Sequence, residues 1–309
     1  MKAASLLAFP LLAIVTPVYA SCGAAFCTLN TDWNMQGGEH GDHPWLVDFR
    51  YESLEQNKLW SGSHSINPAD VHEDTLERYT YNHNEVTTVD YAWEKGSVSV
   101  AIPYLDRQHL HIVDPTGTAT PQEWNFSALG DIKLLARQQM GRDFGLNLGI
   151  KLPTGEYKLT NGEGIVAERA LQPGSGSTDL VAGGFWQYHR GLTGTSLFVQ
   201  ALYEWAVTTR NDFRPGNQLT LSTGLRKPFE QRWVALLQLN YTHKDRDSGA
   251  EAEPDVSGLS TVQASPGLAW QANNTLQLYA FMQLPLMRHV NGIQLVADKA
   301  YVAGLSVRL

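Results

Sequence analysis

Residues 45–52, Trp-Leu-Val-Asp-Phe-Arg-Tyr-Glu, alternate between apolar and polar side chains. Trp45, Val47, Phe49 and Tyr51 share one face, and Asp48, Arg50 and Glu52 share the other. A period of two predicts a strand with one greasy and one polar side. Similar runs recur at 85–93, 97–105, 129–140, 144–153, 179–188, 195–206, 217–226, 232–242, 260–270, 275–284 and 299–309. Each has about the 9–11 residues that a tilted strand needs to cross a bilayer.

The connections sort by length. Those after the even-numbered strands are short: 94–96, 141–143, 189–194, 227–231 and 271–274. Those after the odd-numbered strands, 285–298 included, are long. Short periplasmic turns alternating with long extracellular loops are expected of an outer-membrane barrel, whereas a soluble sandwich has no reason to sort its loops this way. Strand 1 then runs outward from the periplasm.

Aromatic residues on the apolar faces fall into two belts. Trp45, Tyr91, Trp93, Trp186, Tyr188, Trp233 and Trp270 lie at the periplasmic ends of their strands. Tyr51, Tyr104, Tyr203, Trp205 and Tyr241 lie at the outer ends. Amphipathic rings collect at the two lipid–water boundaries of a barrel. The expected fold is therefore all-β: a single transmembrane antiparallel β-barrel of about 12 strands. It occupies residues 45–309, behind a periplasmic N-terminal arm at 21–44.

Residues 1–20 read as a secretory signal. Lys2 opens an apolar stretch broken by Pro10 and Pro17, and Val18-Tyr19-Ala20 offers a cleavage site before Ser21. Export exposes Cys22 and Cys27 to an oxidising compartment, where a short disulfide loop is the expected state. The formal charge of −8 supplies no footprint for nucleic acid. A mean hydropathy of −0.26 excludes a polytopic helical membrane protein but not a barrel, half of whose strand positions are polar.

The polar faces are expected to line the lumen. They carry Asp48, Glu52, Asp90, Asp131 and Glu204 against Arg50, Lys133, Arg137, Lys151, Arg226 and Arg308. Five acids against six bases suggest cross-lumen ion pairs rather than a strong ion filter. Leu46, Leu135, Phe185, Phe198, Leu202, Leu236, Tyr279 and Phe281 share those faces, which fits a narrow or partly filled pore. Asp131, Lys133, Lys151 and Asp179 fall at the outer ends of strands 4, 5 and 6 in the lumenal register, so a charged cluster is expected at the outer mouth.

Three segments carry a resemblance: Leu129-Gly130-Asp131, Lys151-Leu152-Pro153-Thr154-Gly155, and Gly174-Ser175-Gly176-Ser177-Thr178-Asp179. With their spacing they resemble the outer-membrane barrel family named for the MetA pathway of phenol degradation, over roughly residues 85–309. The resemblance implies a barrel of the 12-stranded type that transports small organic molecules. It carries no defined functional residues. Leu309 stands where such barrels commonly end in an aromatic residue, and the cysteine pair is not part of the family pattern.

Candidate chemistry beyond transport is sparse. His109 and His111 form an H-x-H pair that could ligate a metal, although solvated loop histidines are the commoner role. No G-x-S-x-G is present, and no Ser–His pair stands out in the sequence. No cofactor is implied. The reading is an outer-membrane channel for small organic solutes by passive diffusion. Its partners are outer-membrane lipid and lipopolysaccharide, the solute and the barrel-assembly machinery. The alternatives are a barrel scaffold or binding protein for a periplasmic partner, or an outer-membrane lipid hydrolase.

Overall fold

The computed structural model describes residues 21–22, 29, 44–71, 75–113, 118–189 and 194–309. The signal at 1–20 and the Cys22–Cys27 pairing lie outside the described residues. Fourteen strands follow one another: β1 (Ser21–Cys22), β2 (Trp45–Gly62), β3 (His64–Ser65), β4 (Thr75–Trp93), β5 (Gly96–Val113), β6 (Thr120–Leu129), β7 (Ile132–Gln139), β8 (Phe144–Leu152), β9 (Thr178–His189), β10 (Ser196–Thr208), β11 (Gln218–Phe229), β12 (Trp233–Lys244), β13 (Leu259–Gln271) and β14 (Leu276–Arg308). Among the described residues no helix is long and apolar enough to cross a membrane, which says nothing against crossing by strands.

The sheet closes on itself. Neighbours run antiparallel from β14 through β13, β12, β11, β10, β9, β8, β7, β5 and β4 to β2, and β2 pairs back onto β14. β14 crosses the wall twice. It reverses at Gly292, whose φ of 62° is the left-handed region open to glycine. Its first half pairs with β13 and its second with β2. The two halves lie side by side: Arg308 N donates to Thr275 O, and Arg288 donates to Ala297 O. β6 and β7 are successive parts of one traverse, since both pair with β5 and break only at Gly130-Asp131. Among the described residues the wall is thus crossed twelve times.

The side chains sort across this wall as the alternation requires. Phe49, Leu146, Leu148, Val199, Leu237 and Leu239 project outward and stay exposed. A soluble surface would not carry so continuous an apolar band, whereas lipid demands it. The expected belts stand at the edges of that band, with Trp45 against Tyr91 at 4.8 Å, Trp233 against Trp270 at 6.4 Å, and Tyr203 against Trp205 at 5.7 Å between ring centroids.

Several expected loops are strand instead. β2, β4, β5 and β6 continue into 53–62, 75–84, 106–113 and 120–128, and the expected loop 285–298 is mostly strand around the Gly292 reversal. The outward positions there are polar, Glu55 and Asn57 among them, because this part of the wall rises above the lipid into water. A search for greasy outward faces passes over it. The wall is lopsided as a result. Its β14–β2–β4–β5–β6 side stands tall, and its β8–β13 side ends near the outer aromatic belt.

The lumen is partly filled. Its periplasmic half holds Phe198, Leu236, Tyr279, Phe281 and Val302 in one apolar cluster, and Leu29 is buried in it. This residue of the arm lies inside the barrel, where the sequence placed the arm in the periplasm. An apolar cluster against the lumenal wall gives Leu29 a dry seat that the periplasm does not offer. Ser21–Cys22 pair in parallel with Gln294–Leu295 at the outer end.

Leu148 faces outward at the centre of β8 and is 62% exposed. We expect Leu148→Arg to destabilise the barrel by about 2–4 kcal/mol in lipid vesicles, as charge at the bilayer midplane does. The lumen-facing neighbour Asn147→Ala is expected to change the urea midpoint far less.

Candidate functional site

The site grows from the break between β6 and β7. There Asp131 turns its carboxylate toward two other chain segments. Gly155 N donates to Oδ1 at 3.0 Å, and Ser175 donates to Oδ2 through N at 2.8 Å and Oγ at 2.6 Å. Thr154 completes the joint: its Oγ1 donates to Gly130 O at 3.0 Å and accepts from Ile132 N at 2.9 Å. Gly155 and Gly174 approach so closely that a Cβ on Gly174 would lie 2.3 Å from Gly155 O. Only glycine leaves room for that contact. The three segments that carry the family resemblance therefore meet at one point in space.

Lys151 sits beside this joint. Its ammonium pairs with Asp179 and stands 3.9 Å from both Asp131 and Glu204. Lys133 pairs with Glu204 at 2.6 Å, and Ser177 Oγ donates to Asp179 Oδ1 at 2.6 Å. The structure thus brings together Asp131, Lys133, Lys151 and Asp179 and adds Glu204, which lies across on β10. The β9–β10 register sets Glu204 opposite Val181, one pleat below Asp179's own row, toward the periplasm. That stagger could not be read from one sequence.

The other lumenal charges are dispersed. Arg50 pairs with Glu52 at 2.8 Å. Asp48 is buried and accepts from Tyr279 OH at 2.9 Å and Ser306 Oγ at 2.7 Å. Arg137 stacks over Phe185, 3.4 Å from the ring centroid, and donates to Gln187 at 3.1 Å. Asp90 lies opposite Ser99 on β5, apart from the cluster, and Arg226 and Arg308 face the lumen at its periplasmic end.

The long connection 153–177 does not extend into solvent. It folds into the outer lumen, where Ala167 and Leu171 pack with Leu59, Trp124 and Leu295. Trp124 Nε1 donates to Ile165 O at 3.0 Å, and Arg107 donates to Leu171 O. Beneath it lies a chamber of about 460 Å³ whose wall includes Lys151, Asp131, Arg107, Pro173, Phe213 and Thr242. Phe213 reaches it from a tight turn at Asn211-Asp212, whose φ values of 54° and 47° suit these residue types.

His109 and His111, read as outgoing-loop residues, are instead buried on β5 and face inward. His109 Nδ1 contacts Thr80 Oγ1 at 2.8 Å, and His111 Nε2 contacts Gln122 Oε1 at 2.9 Å. Burial holds both imidazoles below their ordinary range. Among the described residues no group of three or more His, Cys, Asp or Glu is placed to hold a metal ion. Glu168, from the inserted loop, lies 3.7 Å from His111 Nδ1. Burial pushes its carboxyl well above the usual range, and Glu253 and Glu77 add to the rise.

A fully closed barrel with lipid-facing strands and two aromatic belts is a protein of the outer membrane. The sequence pattern described as "Putative MetA-pathway of phenol degradation" matches residues 75–286, and the chain belongs to that family. Among solved structures it is similar to the COG4313 outer membrane channel from Pseudomonas putida F1, at 11% identity, with a TM-score of 0.59 over 88% of this chain and 100% of that one. Weaker likenesses are the P. putida toluene transporter TodX (8% identity, TM-score 0.48, 87% of this chain and 90% of that one) and the NanC porin (11%, 0.46, 85% and 100%). At these identities the likeness establishes the fold alone. Among curated proteins none matches the chain.

The raised carboxyl of Glu168 makes loop docking pH-dependent. A group whose docked pKa exceeds its free value stabilises docking below the ordinary carboxylate range, and that stabilisation is lost as pH rises through the docked value. Hydrogen exchange of the 165–172 backbone, compared at one alkaline pH, is expected to be slower in Glu168→Gln than in the wild type. Equal exchange would contradict the assignment.

Proposed function

We propose that this chain is a channel that admits small organic solutes, uncharged or amphipathic, across the outer membrane by passive diffusion. The observation that carries the reading is the chamber under the inserted loop. Its charges are already matched: Arg50 with Glu52, Lys133 with Glu204, Lys151 with Asp179, and Lys244 with Asp247 at 2.8 Å. A charged solute would have to disrupt such pairs and leave a partner exposed to a poorly solvated wall, which is costly. A neutral one meets an apolar surface from Val86, Pro103, Pro173 and Phe213, with polar groups at its edge. Thr242 also borders the chamber, with its hydroxyl buried in the wall and without a protein partner.

Below the chamber, buried polar atoms of Asn147, Asn240 and Ser265 also lack protein partners. Groups of this kind are normally satisfied by water, which supports a hydrated path through the lumen. Family membership and the barrel fold support the same reading. Lipid and lipopolysaccharide contact the outer wall in this account, and the barrel-assembly machinery inserts the chain.

Swelling of proteoliposomes tests the proposal. Neutral solutes small enough for the chamber are expected to enter faster than charged analogues of equal size. Absence of swelling with every solute, in protein shown to be folded, would overturn the channel reading.

A further inference from the structure

The outer face of the wall carries a second group of reactive side chains, away from the lumen. Outward positions of β12 and β13 pair in the order Leu239–Ala264, Tyr241–Val262 and His243–Ser260. His243 and Ser260 thus stand one outward step above Tyr241 of the outer aromatic belt, at the height of the lipid head groups. Ser260 Oγ lies 2.8 Å from His243 Nδ1. The other nitrogen, Nε2, lies 3.3 Å from Asp245 Oδ1. Asp245 is itself held, because Asn217 Nδ2 donates to its Oδ2 at 3.3 Å and its own N donates to Asn217 O at 2.8 Å. Other histidines contact hydroxyls, and His243 is in contact with both a serine and a carboxylate.

The neighbouring strand adds a fourth element. β14 sets His289 directly opposite Ser260, on the flank away from His243. Directly opposed side chains in a ladder stand about 4.5–5.5 Å apart at Cβ. His289 Nδ1 lies 3.0 Å from Ser63 Oγ. When it accepts that hydroxyl proton, the imidazole proton sits on Nε2, free to donate. Around the group the outward surface is greasy: Leu286 is 60% and Met287 68% exposed.

We propose that Ser260, His243, Asp245 and His289 form a serine esterase site on the lipid-facing rim, acting on acyl esters of outer-leaflet lipids. In this site Asp245 holds His243 with its proton on Nε2, leaving Nδ1 as the base. Ser260 Oγ attacks the ester carbonyl carbon as its proton passes to His243 Nδ1. His289 Nε2–H donates to the oxyanion that develops. The carbon–alkoxy bond breaks, and the leaving alkoxide takes the proton from His243. An acyl ester on Ser260 remains. Water, deprotonated by His243, then releases the fatty acid and restores the serine. His243, Ser260 and His289 are the catalytic residues of this scheme, and Asp245 and Ser63 are positioning residues. The site goes beyond the channel reading and does not depend on it, since it faces lipid while the chamber faces the lumen.

A fluorophosphonate probe tests the nucleophile directly on the folded full-length protein. Mass spectrometry is expected to find the probe on Ser260, with no labelling in Ser260→Ala or His243→Ala. Asp245→Asn is expected to label more than tenfold more slowly with an altered pH profile, a change that a merely structural role would not produce. Fatty acid release from vesicles of phosphatidylethanolamine and phosphatidylglycerol is expected to be lost in Ser260→Ala and in His289→Phe, and partly restored in His289→Gln, which keeps a donor. A heat-modifiable gel shift checks that each variant is folded. Wild-type protein that is folded yet takes no probe at Ser260, or lipid hydrolysis that persists in Ser260→Ala, would overturn the proposal.

Discussion

Asp131 is the point on which the outer half of the lumen depends. Its two oxygens accept from Gly155 N, Ser175 N and Ser175 Oγ, and the Lys151 ammonium stands 3.9 Å away. Both ends of the 153–177 connection are thereby tied to the break between β6 and β7. A long loop would otherwise gain conformational entropy by leaving the barrel. Hydrogen bonds to an ionised acceptor, worth about 1.5–3 kcal/mol each, offset that gain. Once the ends are fixed, Leu171 and Ala167 can pack against Trp124 and Leu59. The chamber beneath exists because this loop roofs it.

The same wall solves two solvent problems at once. Its outer face meets lipid with Leu148, Val199 and Leu237, and its inner face carries matched charges and unpartnered amides. Because successive side chains point to opposite faces, each strand serves both without compromise. Above the lipid the outer face turns polar while the strands continue. The tall side of the wall supplies the packing surface for the inserted loop, and the low side brings β12 and β13 to an end beside the head groups. One architecture thus holds a lumenal chamber and, on its other surface, the serine and two histidines of the rim.

Legibility followed the physics of each part. Trp45, Val47, Phe49 and Tyr51 announced a lipid-facing strand because lipid tolerates no polar side chain on that face. The extensions 53–62 and 75–84 were illegible for the complementary reason, since water tolerates either kind. Lys133 and Asp131 could be placed beside Lys151 because the short turn at 141–143 fixes the register of their hairpin. Glu204 joined them through a stagger that only the closed sheet defines. His111 was misread as a loop residue because the wall above the lipid was not foreseen, and its contact with Glu168 depends on a loop folding inward. Ser260 and His243 lie seventeen residues apart, and only the pairing of β12 with β13 makes them neighbours.

In the proposed channel, the loop held through Asp131 narrows the pore. Proteoliposome swelling with a graded series of neutral solutes tests it most directly when wild type is compared with Asp131→Ala, each verified as folded. Asp131→Ala is expected to admit larger solutes, and small ones faster, because the loop is released from the lumen. An identical size limit and rate in the two proteins would contradict it.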